Sequence, residues 1–293
     1  MSSTFKTQVN KEEDLQQWTQ IIEPHGRHFD LKLSELWRYR DLIYLFVHRD
    51  FVAQYKQTIL GPAWHFIQPL LTTVMFTIVF GKIAKIPTDG VPPFIFYMSG
   101  TIIWTYFASV LTATSNTFVG NAGIFGKVYF PRLAVPMATL LSRLVAFGIQ
   151  FFFFLCFLAW FAFRGDEIHP NAWVLATPVL LLMMAALGLG MGVIISALTT
   201  RYRDLTVLVG FGVQLLMYAS PIIYPLSVLP EKWRFWAALN PIAPIVELFR
   251  HAFLGTGSIN LGYLGLSALI ILLILYIGIV MFNKVERTFM DTV

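Results

Sequence analysis

The sequence predicts an all-α integral membrane protein with six transmembrane helices, an N-terminal amphipathic interface helix and short helices, re-entrant or resting on the outer surface, between spans five and six. Three observations predict it. Of the 293 residues, 57% are hydrophobic and only 13% charged, about half the charged share of a soluble domain. The apolar residues fall in runs of roughly twenty, the length that crosses about 30 Å of hydrocarbon as a helix. Charge is concentrated at the front, where residues 1–58 hold eight of the 21 Lys/Arg and eight of the 16 Asp/Glu. The chain therefore divides into a polar segment over 1–30, expected in the cytoplasm, an amphipathic helix over 31–58 and a membrane domain over 59–293.

In chain order, the polar head has no early apolar stretch followed by a small-residue cleavage site, so the first span is expected to direct insertion. Residues 31–56 place Leu33, Leu36, Trp37, Ile43, Phe46, Val47 and Phe51 at mostly helical spacing among Lys32, Arg38, Arg40, Arg49 and Lys56. That pattern suits a helix lying at the acyl boundary, or one packed on protein. Spans are expected at about 60–83, 94–118, 137–163, 173–199, 206–225 and 261–282; five meet the length standard and one is slightly short or broken. Six crossings bring both termini to one side. Beside the spans that side carries Arg40, Arg49, Lys56, Lys127, Arg132, Arg201, Arg203, Lys284 and Arg287, against Lys82, Lys85, Arg164, Lys232, Arg234 and Arg250 opposite. The positive-inside bias places both termini in the cytoplasm. Trp64, Trp160 and Trp173 stand near span ends, as interfacial rings do; Trp104 does not.

Several residues within the spans invite a functional reading. Arg143 falls seven residues into the third span, where it either snorkels to the headgroups or serves a function at depth. Thr101, Thr105, Ser109, Thr112 and Asn116 form one polar stripe along the second span, suited to hydrogen bonding between helices or to a polar pathway wall. Tyr97, Trp104 and Phe107 share the adjacent face. Rings beside hydroxyls suit a carbohydrate, whose C–H faces stack while its hydroxyls hydrogen-bond; plain packing is the alternative. Gly188, Gly190 and Gly192 contain a G-x-x-x-G pattern that permits close helix approach. Between spans five and six, Pro225, Pro230, Pro241 and Pro244 cut an aromatic stretch with Trp233, Phe235, Trp236, Phe249 and Phe253 into short helices. These either dip into the bilayer and return or rest on its outer surface. Glu247 and Arg250, three apart, can pair on one face.

The absences narrow the chemistry. One cysteine, Cys156, permits neither an intramolecular disulfide nor a multi-cysteine metal site. H-E-x-x-H and G-x-S-x-G are missing, and the acidic residues are dispersed, so no catalytic cluster and no metal site are expected. The nearest approach to a P-loop, Asn121 to Val128, lacks the first glycine and the Ser/Thr after the lysine. Any ATP and Mg must be bound by another polypeptide. The basic residues are scattered among loops, not packed in a stripe, so nucleic acid is not a partner.

Specific strings then matter. RDFVAQYKQTILG over Arg49 to Gly61, with Trp64 and Gln68-Pro69, resembles the approach to the first span in ABC-2 type permeases, and more closely their polysaccharide export subfamily. KVYFPR over Lys127 to Arg132 with Pro136, RYRDL over Arg201 to Leu205, Asn240-Pro241, and Phe249-Arg250 extend the resemblance to nearly everything after residue 30. The resemblance implies a half-transporter in the bacterial cytoplasmic (inner) membrane that homodimerises and joins two copies of a P-loop nucleotide-binding subunit. Its cargo would be an O-antigen, teichoic-acid-like or capsular glycan on an undecaprenyl carrier. It implies ATPase coupling at Lys127, Tyr129, Phe130, Pro131, Arg132, Arg201, Arg203 and Asp204, for which topology anchoring is the alternative. From helix faces we expect the glycan channel at Tyr97, Trp104 and Phe107 and a periplasmic gate at Trp233 and Trp236. An ABC-2 exporter of a lipid or small molecule, and an integral-membrane glycan-processing enzyme, are the competing functions.

Overall fold

The computed structural model describes residues 33–292 other than 57, 129, 203 and 258. The polar segment over 1–30 thus lies outside the described residues, as do Tyr129 and Arg203. Among the described residues all regular structure is helical: α1 (Leu33–Arg38), α2 (Arg40–Tyr55), α3 (Trp64–Phe76), α4 (Pro93–Ser115), α5 (Thr117–Phe125), α6 (Ala134–Phe163), α7 (Thr177–Thr199), α8 (Leu205–Ala219), α9 (Glu231–Leu239), α10 (Ile242–Leu254) and α11 (Leu261–Thr292). A 3-10 turn over Gly61–Ala63 leads into α3, which continues as a π-helical stretch over Thr77–Ile83; another 3-10 turn over Ala172–Ala176 leads into α7. The chain is a multi-pass membrane protein with five helices long and apolar enough to cross a bilayer: Gly61–Ile83, Pro93–Ser115, Ala134–Phe163, Ala172–Thr199 and Leu261–Glu286.

The segment expected over 206–225 ends earlier, as α8, with 15 residues. At 1.5 Å per residue that is about 22 Å, short of the hydrocarbon thickness. The cause is local: Ser220 precedes Pro221, whose ring disfavours the helical region for the residue before it, and Ser220 is extended at φ −102°, ψ 149°. Proline also shapes the next segment as expected. Pro230 precedes α9, Asn240 turns extended before Pro241, and α10 follows. Gly255 closes α10 in the left-handed conformation at φ 78°, which glycine adopts without a Cβ penalty.

Helix α4 is the hub. It packs against α3, α6, α7, α8 and α10, while α7 packs on its other side against α11. The glycines of α7 make both crossings possible. A Cβ at Gly188 would meet the Phe107 carbonyl of α4 at 3.1 Å, one at Gly192 would overlap the Thr114 hydroxyl, and one at Gly190 would lie 2.9 Å from the Leu275 Cα of α11. From the α11 side, a Cβ at Gly278 would stand 2.7 Å from the Gly190 carbonyl. Small residues that let backbones approach are how membrane helices gain dispersion contacts. On the far side of α4, Phe151 and Phe154 of α6 interlock with Phe249 and Phe253 of α10 at centroid distances of 5.4–6.4 Å.

A second apolar cluster sits at one end of the bundle, where Leu36, Phe46, Phe118, Phe125, Phe130 and Phe282 meet. Through it α1 and α2 are held to the membrane helices, and α2 packs along α6. The inward face of α2 uses Phe46, with Ile43, Val47 and Phe51 half-buried, while Trp37 of α1 and Tyr44 and Leu45 of α2 remain exposed. The segment expected to have one apolar face therefore has two, one on protein and one outward.

The Gly190–Gly278 crossing predicts that Gly278→Leu, by forcing α7 and α11 apart, lowers stability in detergent by about 1–3 kcal/mol. Gly212→Ala, whose new Cβ meets nothing within 4 Å, leaves it unchanged or slightly raised; thermal unfolding followed by size-exclusion chromatography measures both.

Candidate functional site

The most enclosed charge in the described chain is Arg250 on α10, 1% exposed. Its Nη1 donates to the Pro221 carbonyl at 2.7 Å and its Nη2 to the Ile222 carbonyl at 2.6 Å. Glu247 stands one turn back with Oε1 3.7 Å from Nη1, and the guanidinium lies 3.8 Å over the Phe96 ring of α4. A Cβ at position 100 would come within 2.7 Å of Nη2, so Gly100 makes room for the cation. These two groups lie outside the five long spans. Burial lowers Arg250 to about 10, well above neutrality, with Glu247 opposing the fall. Burial raises the Glu247 carboxyl, opposed by Arg250 and by the Leu226 N–H that donates to it. The sequence-level pairing of Glu247 and Arg250 is therefore present, and the arginine binds backbone as well.

Beside this lock is a cavity of about 440 Å³ whose polar lining is Asp89, Ser227, Arg234, Glu247, Asn260 and Tyr263. The Ser227 hydroxyl donates to Asp89 at 2.8 Å, and Arg234 donates to the Ser227 and Leu229 carbonyls. These contacts hold α9 over the cavity mouth. Trp233 and Trp236, expected at a gate, project from the exposed side of α9 and line no part of this cavity.

A second cavity, of about 380 Å³, opens between α3, α4 and α6. Trp64, His65, Gln68 and Thr72 come from α3, Trp104, Thr105, Ser109 and Thr112 from α4, and Arg143 and Gln150 from α6. The polar stripe of the second span divides here. Thr105, Ser109 and Thr112 face this cavity, whereas Thr101 is buried and donates to the Tyr97 carbonyl at 2.6 Å. Hydrogen bonding between helices falls instead to Thr114, which reaches the Gly188 carbonyl at 3.4 Å, and to Ser196, which accepts from the Phe118 N–H at 3.2 Å. Of the three expected channel rings, Trp104 lines the cavity. Phe107 lies behind it, 5.3 Å away, and Tyr97 sits in the core near Phe76 and Phe96. Sequence reasoning missed His65, Gln68, Thr72 and Gln150. Their signal was present as polar residues at three, four and seven-residue spacings within apolar spans, the period of one helix face.

The residues implied in coupling fall into two groups. Lys127, Arg201 and Asp204 are exposed at the end of the bundle that carries α2. Phe130 is buried between Phe46 and Phe125 at 5.6 and 5.8 Å, with Pro131 half-buried beside it. Arg132 donates to the Glu286 backbone carbonyl and lies 5.5 Å over the Phe125 ring, while its N–H reaches the Glu286 carboxylate. This second group fastens the α5–α6 connection to α2 and to the far end of α11. Among the described residues no three His, Cys, Asp or Glu side chains gather as a metal site would require.

Comparison with known proteins adds a family to this geometry. Residues 41–254 match the ABC-2 type transporter family. The O-antigen export system permease protein RfbA of Klebsiella pneumoniae is 27% identical over 86% of this chain and 94% of its own length. The protein of the same name from Myxococcus xanthus is 25% identical over 75% and 83%, and the polysialic acid transport protein KpsM of Escherichia coli is 22% identical over 83% and 93%.

The Arg250 lock predicts a costly substitution. Arg250→Met leaves Glu247 without its counter-charge and the Pro221 and Ile222 carbonyls without their donor, and lowers stability by about 3–5 kcal/mol. Adding Glu247→Gln recovers part of the loss, since the two carbonyls stay unsatisfied; thermal unfolding of the single and double variants in one detergent checks the order.

Proposed function

Because the chain belongs to the ABC-2 type transporter family, we propose that it is the membrane half of an ATP-driven exporter carrying a lipid-linked polysaccharide across the bacterial cytoplasmic membrane. The observation that carries this reading is the near end-to-end similarity to permeases named for O-antigen export and polysialic acid transport. On this reading two copies form the pathway and two copies of a P-loop subunit supply ATP and Mg. The chain is a transport subunit, and no covalent step occurs in it.

The geometry supports a division of labour. Termini on the cytoplasmic side put Lys127, Arg201 and Asp204 on a surface that a nucleotide-binding subunit can grip. Phe130 and Arg132 pass movement of that patch to α2 and α11 through the contacts described above. Trp104, with Phe107 behind it and Tyr97 two turns back on the same helix, offers the moving glycan a ring among hydroxyls. Weak, repeated contacts suit a polymer that must both enter and leave. At the other end α9 and α10 form the re-entrant pair, with Trp233 and Trp236 as the gate, and α8 counts as the sixth crossing with the turn after it.

Three outcomes are expected. Gentle purification recovers, at one-to-one stoichiometry, a polypeptide with G-x-x-x-x-G-K-[ST], identified by mass spectrometry; repeated intact preparations without one sink the half-transporter reading. Trp104→Ala lowers surface glycan several-fold, scored by immunoblot of a complemented strain, while dimer assembly and partner ATPase persist; unchanged export removes Trp104 from the path. The pair Lys127→Glu and Arg201→Glu weakens co-purification of the partner at least tenfold, without moving the thermal transition of the chain alone.

A further inference from the structure

The polar cavity between α3, α4 and α6 does not end in protein. Phe66 follows His65 on α3, and Phe153 comes one turn after Gln150 on α6; these two rings stack at a centroid distance of 3.7 Å. They begin a second cleft, of about 630 Å³, whose lining is aromatic apart from Cys156. A polar chamber and an aromatic trough thus share two helices and meet within one helical turn, about 5.4 Å.

The chamber's charge has one sign. Arg143 and His65 both line it, and the nearby acid, Asp50 on α2, pairs with Arg49 at 2.8 Å. Arg49 and Asp50 lie outside the chamber's lining, in which Arg143 is the one fixed charge, and an anion beside it in apolar surroundings is attracted more strongly than in water. The chamber also offers an acceptor. Gln150 is 5% exposed, and its Oε1 has no hydrogen-bond partner. A buried polar atom left so costs about 1–3 kcal/mol, and a ligand hydroxyl would relieve it. An occupant must therefore bring anionic oxygens, at least one hydroxyl, and a slender apolar tail for a single trough.

We infer that this seam is a lateral docking site for one single-chain glycosyl phosphate lipid of the polyprenyl kind, its phosphate at Arg143 and His65, its first sugar at Gln150 and its tail along Phe66, Phe153 and Cys156. The inference rests on the export reading for the identity of the lipid and on the two clefts for its place. It assigns Arg143 a ligand and puts the docked carrier in the chamber that Trp104 also lines.

Cys156 makes the test direct, because it is the one cysteine of the chain and is exposed in the trough. The complex with its nucleotide-binding partner is reconstituted in nanodiscs of zwitterionic lipid and exposed to N-ethylmaleimide, and modification of Cys156 is timed by peptide mass spectrometry. Undecaprenyl diphosphate carrying one N-acetylglucosamine is expected to slow labelling at least fivefold. Undecaprenol and phosphatidylglycerol at the same mole fraction should slow it less than twofold. Arg143→Gln and, separately, Gln150→Leu should raise the lipid needed for half-protection about tenfold. Lack of protection by the glycosyl lipid overturns the site. Equal protection by undecaprenol shows that the head is not read, and equal protection by phosphatidylglycerol shows a bulk-lipid groove; either overturns the assignment. Should Arg143→Gln misfold, Gln150→Leu and the three-lipid comparison on the unmodified chain still decide. Surface glycan in a strain complemented with the unmodified chain is measured in parallel. Export without protection defeats this inference alone, whereas absence of export defeats the underlying reading.

Discussion

A break in a membrane helix leaves carbonyls that water cannot reach, and this constraint organises the structure. Helix α8 stops at Ala219 because Pro221 follows Ser220, and the Pro221 and Ile222 carbonyls point into the domain without helical partners. Backbone groups at membrane depth must be satisfied by protein or a wet cavity. Arg250 supplies two donors to them, and Asn240 donates to the Ser220 hydroxyl at 2.8 Å. To deliver these donors α10 must be drawn into the core, where its residues are buried almost throughout. The aromatic interlock with α6, the Phe96 ring beneath the guanidinium and the missing side chain at Gly100 follow from one cation having to occupy that place.

Once α10 is fixed, the rest of the bundle has little freedom. Helix α4 carries both the ring under Arg250 and the carbonyl facing Gly188, so the lock on one side and the glycine crossings on the other position the same helix. The polar faces of α4 and α6 then meet α3, which packs against both. Shape alone makes the chamber with Trp104, Arg143 and Gln150 a consequence of packing elsewhere. Its residue types are not a consequence of packing, since apolar side chains would fill the space at lower cost.

The sequence revealed what depends on runs and punctuation. Five long spans, the proline-cut segment after span five and the close approach at Gly188 and Gly192 were legible, because length, proline and glycine act locally. The end of α8 was locally encoded too, in Ser220-Pro221, but the apolar run through Ile222 and Ile223 masked it. The chamber was not legible because its members lie on three helices far apart in the chain; hydropathy averages absorb a lone His65 or Gln150. The same reason separates Trp104 from Phe107. Three residues apart, they share a helix face in projection, yet α7 approaches one and the chamber opens beside the other, and only tertiary packing distinguishes them. Arg143 shows the converse. Its depth was visible, and the choice between snorkelling and function turns on Asp50 and His65, neither of which is near it in sequence.

What the single chain leaves uncovered follows the same logic as what it buries. Helix α8 exposes Val207, Leu208, Phe211, Leu215 and Tyr218, and α3 with its π-helical continuation exposes Leu71, Val74, Met75 and Ile78. Ordinary lipid satisfies such side chains. It does not satisfy the end of a helix about 22 Å long, too short for a layer of about 30 Å, that passes into a turn. A short helix of this kind is stable where protein or a water-lined cavity flanks its broken end. On one side Arg250 and Asn240 do that work. The proposed two-copy exporter places a second chain and a wet path on the other side, where the exposed face of α8 would meet them.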